Sequence, residues 1–202
     1  MAGAVTETGL PVLAEVGAEG DGAARLARQA MFVALGVAAL TLAAKAQVPM
    51  WPVPMTMGTL AVLGIGAAYG PGLGLVTIGT YMGLGALGAD VFAGSGPESN
   101  GLAYMMGGTG GYLLGYVLAT LALGALARRG WDRSAPRMAL AMLAGNAIVY
   151  VPGVLWLGVL FGWSEPILQW GLWPFLLGDA VKLALAALLF PAAWRLVGGA
   201  RA

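Results

Sequence analysis

A succession of apolar runs, each about as long as a bilayer is thick, leaves this chain few ways to fold. Over about 27–46 nearly every residue is Ala, Val, Leu or another apolar type, and a helix that crosses the hydrocarbon core takes about 20 such residues. Comparable runs follow at about 56–69, 72–88, 103–127, 138–161 and 172–196. Between them stand residues that stop helices. The stretch Val48-Pro49-Met50-Trp51-Pro52-Val53-Pro54-Met55 carries three prolines, which remove donors and restrict the residues before them, so it is expected as a rigid loop. Gly70-Pro71-Gly72 is too short to be more than a tight turn, which makes the second and third runs antiparallel neighbours. The segment 89–102 is polar and loop-like, and Gly107-Gly108-Thr109-Gly110-Gly111 loosens the fourth run or delays its start. The expected fold is therefore all-α, an integral membrane bundle of six transmembrane helices.

Composition agrees. Hydrophobic residues make up 59% of the 202 and charged ones 9%, with a mean hydropathy of +0.83, so lipid is the expected solvent and the bilayer the first partner. The length leaves no room for a second soluble domain. Residues 1–26 include Glu7, Glu15, Glu19 and Asp21 without an apolar core of the signal-peptide kind, and are expected as a mobile cytoplasmic N-terminal tail. The remainder, 27–198, is expected as one substrate-binding domain.

Net charge of +1 gives no footprint for nucleic acid. The chain has neither cysteine nor histidine. Thiol nucleophiles, thiolate metal sites and the commonest general base are missing together, so the expectation is a binder or transporter with no catalytic residue, no metal and no cofactor.

All eight arginines fall on one side of a six-span arrangement, before the first run, between the fourth and fifth, and after the sixth. By the positive-inside rule that side is cytoplasmic and both termini lie there. Trp51, Trp163, Trp170 and Trp173 then gather near the outer interface, as an aromatic belt or as part of a site.

The residues out of place in lipid are few. Lys182 falls inside the sixth run, with Asp179 three residues earlier on the same helical face. A cation there is costly unless paired, and such residues are functional candidates by default; a structural ion pair is the alternative. Asn146 and Tyr150, four apart on the fifth run, share one face. An interhelical hydrogen bond explains Asn146 as well as ligand contact does. Thr56, Tyr81, Asn100 and Tyr112 could extend a polar centre outward, and Lys45 ends the first run on the outer side. Ala34 and Ala38, then Ala39 and Ala43, recur at a spacing that lets another helix approach closely, though an alanine-rich chain produces such spacings by composition alone.

Four segments in order, Pro52-Val53-Pro54-Met55-Thr56, Thr109-Gly110-Gly111-Tyr112-Leu113-Leu114-Gly115, Gly145-Asn146 with Tyr150, Gly153, Trp156 and Leu157, and Pro174-Phe175-Leu176-Leu177-Gly178-Asp179-Ala180-Val181-Lys182, resemble the BioY family. Its members are biotin-specific substrate-binding (S) components of energy-coupling-factor (ECF) transporters. The resemblance implies an S-component fold without catalysis, high-affinity capture of biotin, and partnership with a transmembrane coupling subunit and paired ATP-binding cassette ATPases in the inner membrane. It implies that Asp179 and Lys182 contact biotin, and that Asn100 matches an asparagine of the outer loop. The ligand carboxylate then falls to Lys45 or to backbone N–H groups in the 107–111 segment. The chain departs from the family at Gly58, where glutamine is expected, and carries no arginine in an outer loop. An S component for another vitamin and a passive facilitator are the alternatives; a lipid-modifying enzyme is disfavoured by the missing His and Cys.

Overall fold

The computed structural model describes residues 9–17, 22–96 and 99–199. Helix α1 (Gly22–Lys45) leads through β1 (Gln47–Val48), the proline loop and β2 (Met55–Thr56) to α2 (Gly58–Ala86). After the polar loop come α3 (Gly101–Met105), α4 (Gly110–Ala127), α5 (Ala135–Phe161), α6 (Ile167–Gly171) and α7 (Trp173–Gly199). Gln47 pairs with Thr56 and Val48 with Met55, so the proline loop is tied off at its base by an antiparallel ladder.

Among the described residues, five helical stretches have the length and hydropathy of a membrane span. One of them, α2, is folded on itself. Gly70 has φ 76° and ψ 177°, a conformation that side chains avoid, and Pro71 adds no N–H to continue the helix. The legs 58–69 and 71–86 lie side by side, close enough that a methyl at Gly74 would stand 3.7 Å from the Gly66 Cα. Six helical limbs result, in line with the six runs of the sequence. The two legs are each shorter than a full crossing of about 20 residues.

The limbs meet through backbone as much as side chain. A Cβ at Gly124 of α4 would lie 2.4 Å from the Pro71 nitrogen, and one at Gly115 would lie 2.7 Å from the Val149 Cα of α5. In lipid no hydrophobic force draws helices together, so close contact of this kind is what stabilises the bundle. α2 packs on α4, α4 on α5 and α5 on α7, while α1 packs mainly along α2 and is the least covered span. The bundle has the exposure pattern expected in a bilayer: Leu42, Val159, Leu177 and Leu188 face outward, and Asp179 and Lys182 are buried.

Two boundaries differ from the sequence reading. The fourth span begins only at Gly110, because α3 and a turn absorb 101–109. The first helix has already formed at Gly22, ahead of Ala27. Of the expected tail, residues 1–8 and 18–21, including Glu7, Glu19 and Asp21, lie outside the described residues. Residues 9–17 pack against the arginine-bearing end. There the Leu10 N–H donates to the Arg128 carbonyl at 2.8 Å, Glu15 pairs with Arg128 at 2.5 Å, and Val12 is fully buried beside Gly70. Arg201 also lies outside the described residues. At the opposite end Trp51, Phe161 and Trp170 form an edge-on aromatic cluster.

Candidate ligand-binding site

Toward the tryptophan end, α1, α2, α4, α5 and α7 surround a cavity of about 60 Å³ whose wall is mostly apolar and aromatic. Its polar floor comes from four side chains on three limbs. Asp179 and Lys182 project from one turn of α7, with Nζ 3.0 Å from Oδ1. Thr59, in the first turn of α2, accepts from Lys182 at 3.0 Å and donates to Asp179 Oδ1 at 3.2 Å. The Tyr150 hydroxyl of α5 donates to Asp179 Oδ2. Burying two charges costs several kcal/mol each, and their attraction offsets this only when the remaining hydrogen-bonding capacity is also used.

A carboxylate offers about four acceptor positions and an ammonium three donors. Asp179 has three donors aimed at it, and Lys182 places two of its N–H groups. About one acceptor and one donor are left over, side by side at the cavity. That pair suits a planar group carrying an N–H next to a carbonyl.

The aromatic wall includes Tyr112 and Tyr116 of α4, Tyr150 of α5 and Phe175 of α7. The Tyr112 hydroxyl donates to the Gly171 carbonyl at 2.7 Å, which fastens α6 to α4 and leaves the ring to line the cavity. Asp179, Lys182, Tyr112 and Tyr150 are thus brought together. Three other candidates lie apart. Asn146 is buried one turn before Tyr150 but does not line the cavity, and its Oδ1 has no hydrogen-bond partner among the described residues. Asn100 is exposed just before α3. Lys45 pairs with Asp90 at 2.5 Å, and Asp90 also accepts from the Ser95 hydroxyl at 2.6 Å. The hydrogen bond from Lys45, then that from Ser95, holds the Asp90 carboxyl below the usual carboxylate range. On α1, Ala34, Ala38 and Ala39 are exposed and Ala43 is half-buried.

Sequence reasoning did not single out Thr59, Tyr104 or Tyr116, all of which line the cavity. Signals for two of them were present. Thr59 stands one turn beyond Thr56, and Tyr116 stands four residues after Tyr112, on the same helical face. Gly58 also has a structural reason. A Cβ there would lie 2.9 Å from both the Tyr116 hydroxyl and the Thr56 hydroxyl, so the tyrosine occupies the space that a longer side chain at 58 would need.

A second, outer cavity of about 360 Å³ lies between the proline loop and the 93–109 segment. It shares Pro54, Ala93, Tyr104 and Thr109 with the inner one. These four residues separate the polar floor from the tryptophan end of the molecule. Gly107 and Gly108 line the outer cavity just ahead of the N-terminus of α4.

Residues 15–199 match the profile of the BioY family. The chain is 36% identical over 163 residues to "Probable biotin transporter BioY" of Pyrococcus horikoshii, a match covering 81% of this chain and 94% of that one. It is 31% identical over 162 residues to "Biotin transporter BioY" of Thermotoga maritima, covering 80% and 93%. Among solved structures, the crystal structure of the S-component for biotin from an ECF-type ABC transporter superposes with a TM-score of 0.70. At 20% sequence identity it covers 88% of this chain and 95% of its own, which supports the fold.

Proposed function

We propose that this chain, which belongs to the BioY family, is the high-affinity biotin-binding subunit of an ECF-type vitamin uptake transporter in the inner membrane. The observation that carries the reading is the Asp179–Lys182 pair, buried at a cavity and held by Thr59 and Tyr150. The ureido head of biotin has two N–H donors and one carbonyl acceptor. The acceptor left on Asp179 answers an N–H and the donor left on Lys182 answers the carbonyl. Tyr112, Tyr150 and Phe175 pack the fused rings. The names of the curated relatives point to the same ligand.

The valeryl tail then points past Tyr104 and Thr109 into the outer cavity. Its carboxylate meets the positive end of α4 at 107–109, with Lys45 as the other candidate and Asn100 at the rim. Asn146 supports the site from behind Tyr150. Ligand pockets usually enclose about 300–1,000 Å³, a range that the inner and outer cavities reach only together. The test is equilibrium binding of radiolabelled biotin to the purified protein, competed by a panel of unlabelled vitamins. Biotin alone should compete. Equal competition by another vitamin would reassign the ligand, and uptake into vesicles without ATPases would favour a facilitator.

Residues 27–198 supply the binding domain, and the arginine-bearing end and both termini are cytoplasmic. The chain has no cysteine, so single reporters are clean. Ser164→Cys should react with a membrane-impermeant thiol reagent from outside and Arg129→Cys only from inside. Reaction of both from one face would refute the orientation.

Energy comes from partners, a coupling subunit and paired ATPases. We place the coupling subunit on the exposed side of α1, where Ala34, Ala38, Ala39 and Ala43 permit close approach. Ala39→Trp should abolish copurification with a coupling subunit and leave biotin affinity within about twofold, since nothing on that face reaches the cavity. Loss of both together would mean that the alanines serve folding.

A further inference from the structure

At the arginine-bearing end a cavity of about 590 Å³ lies between the N-terminal segment, the start of α1 and the turn of α2. Arg25, Arg28 and Arg128 line it against one carboxylate among the described residues, Glu15, which is held by Arg128 through both of its oxygens. Arg28 spends one terminal nitrogen on the carbonyls of Ala14 and Val16, at 2.6 and 2.7 Å. Carbonyls do not cancel its charge, and the other guanidinium nitrogens have no acceptor among the described residues. Arg25 is exposed on the same helical face, one turn earlier.

Gln29 and Leu73 belong to this cavity and also to a groove of about 1,020 Å³ that runs between α1 and the second leg of α2. That groove is apolar, lined by Leu26, Val33, Val37, Val76 and Leu84. A cationic chamber at the level of the cytoplasmic headgroups therefore opens into an apolar channel that runs to hydrocarbon depth. Free phosphate fits only the first half of that arrangement, and an uncharged apolar molecule only the second. We propose that the two together form a site for an anionic phospholipid, with its phosphate on Arg25 and Arg28 and one acyl chain between α1 and α2. The site does not depend on which vitamin fills the upper cavity. Ala34 and Ala38 line the same groove, so the lipid belongs to the uncoupled chain and leaves when a coupling subunit docks.

Native mass spectrometry of the detergent-purified protein tests this with three probes: phosphatidylglycerol, phosphatidylcholine and soluble glycerol 3-phosphate. With two arginines on its anionic headgroup, phosphatidylglycerol should bind about tenfold to thirtyfold more tightly than phosphatidylcholine, with glycerol 3-phosphate competing weakly. Arg25→Gln, whose side chain holds nothing else together among the described residues, should remove much of that preference, and Arg25→Gln with Arg28→Gln nearly all. Arg137→Gln, at the same end but outside the cavity, should leave it intact. Val76→Trp should cut phosphatidylglycerol binding by filling the channel. Equal binding of the two lipids, competition by glycerol 3-phosphate as strong as by the lipid, or an equal loss in Arg137→Gln would each overturn the proposal.

Discussion

Asp179→Asn should lower biotin affinity by about 2–5 kcal/mol, the range for removing one member of a buried, hydrogen-bonded charge pair. The substitution keeps the size of the side chain but turns one oxygen into a donor. Three donors already converge on that carboxylate, from Lys182, Thr59 and Tyr150, so an amide NH₂ either faces the Lys182 ammonium, which cannot accept, or makes the Tyr150 hydroxyl turn round and give up its acceptor. It also leaves Lys182 buried without its counter-charge. Lys182→Met keeps the apolar stem, removes the donor for the ureido carbonyl, and leaves Asp179 with the two hydroxyls only. Its loss should fall in the same range. Biotin affinity and melting temperature measured on the same purified variants separate binding from scaffolding. If the pair is purely structural, melting falls and the folded fraction still binds; unchanged affinity in stably folded Asp179→Asn protein would end the biotin-site proposal.

Gly111→Ala should destabilise the bundle by at least about 1–3 kcal/mol, through overpacking that no rotamer can relieve. The added Cβ would stand 2.3 Å from the Pro152 carbonyl oxygen and 2.4 Å from the Trp156 Cβ. Neither is the free end of a flexible side chain, so α4 and α5 must move apart. The neighbouring residue is Tyr112, which lines the cavity and holds α6, and biotin binding should therefore weaken along with stability. Gly79→Ala is the matched control. Nothing lies within 4 Å of a Cβ there, so it should be neutral or stabilising by up to about 1 kcal/mol, the usual gain from replacing an open helical glycine. Thermal unfolding of both in the same detergent gives the comparison, and equal melting temperatures would show that the α4–α5 contact is looser than described.

Much of the polar floor of the cavity was legible because lipid makes it so. Only a few residue types are costly in hydrocarbon, and Asp179 and Lys182, spaced to share a face, could hardly be anything but paired and inward. Tyr150 followed from its helix phase. Lys45 and Asn100 could not be placed in this way, because what surrounds the end of α1 and the start of α3 is set by the course of loops distant in the chain. Lys45 was drawn to Asp90, forty-five residues on, by a loop whose path no local pattern encodes. Thr59 was passed over because a threonine near a helix start is ordinary on its own. It becomes a ligand-site candidate only once α2 stands beside α7.

The sequence by itself determined the class of the molecule and its limbs. Apolar run length is read directly against bilayer thickness, and Gly70-Pro71-Gly72 marks the break between the second and third runs. Only the tertiary structure decided which limbs touch, that residues 9–17 fold back onto Arg128, and that Tyr116 fills the space above Gly58. Those outcomes depend on approach distances between segments far apart in the chain. Helix periodicity carries the phase of a face, but it does not carry the identity of the face it will meet.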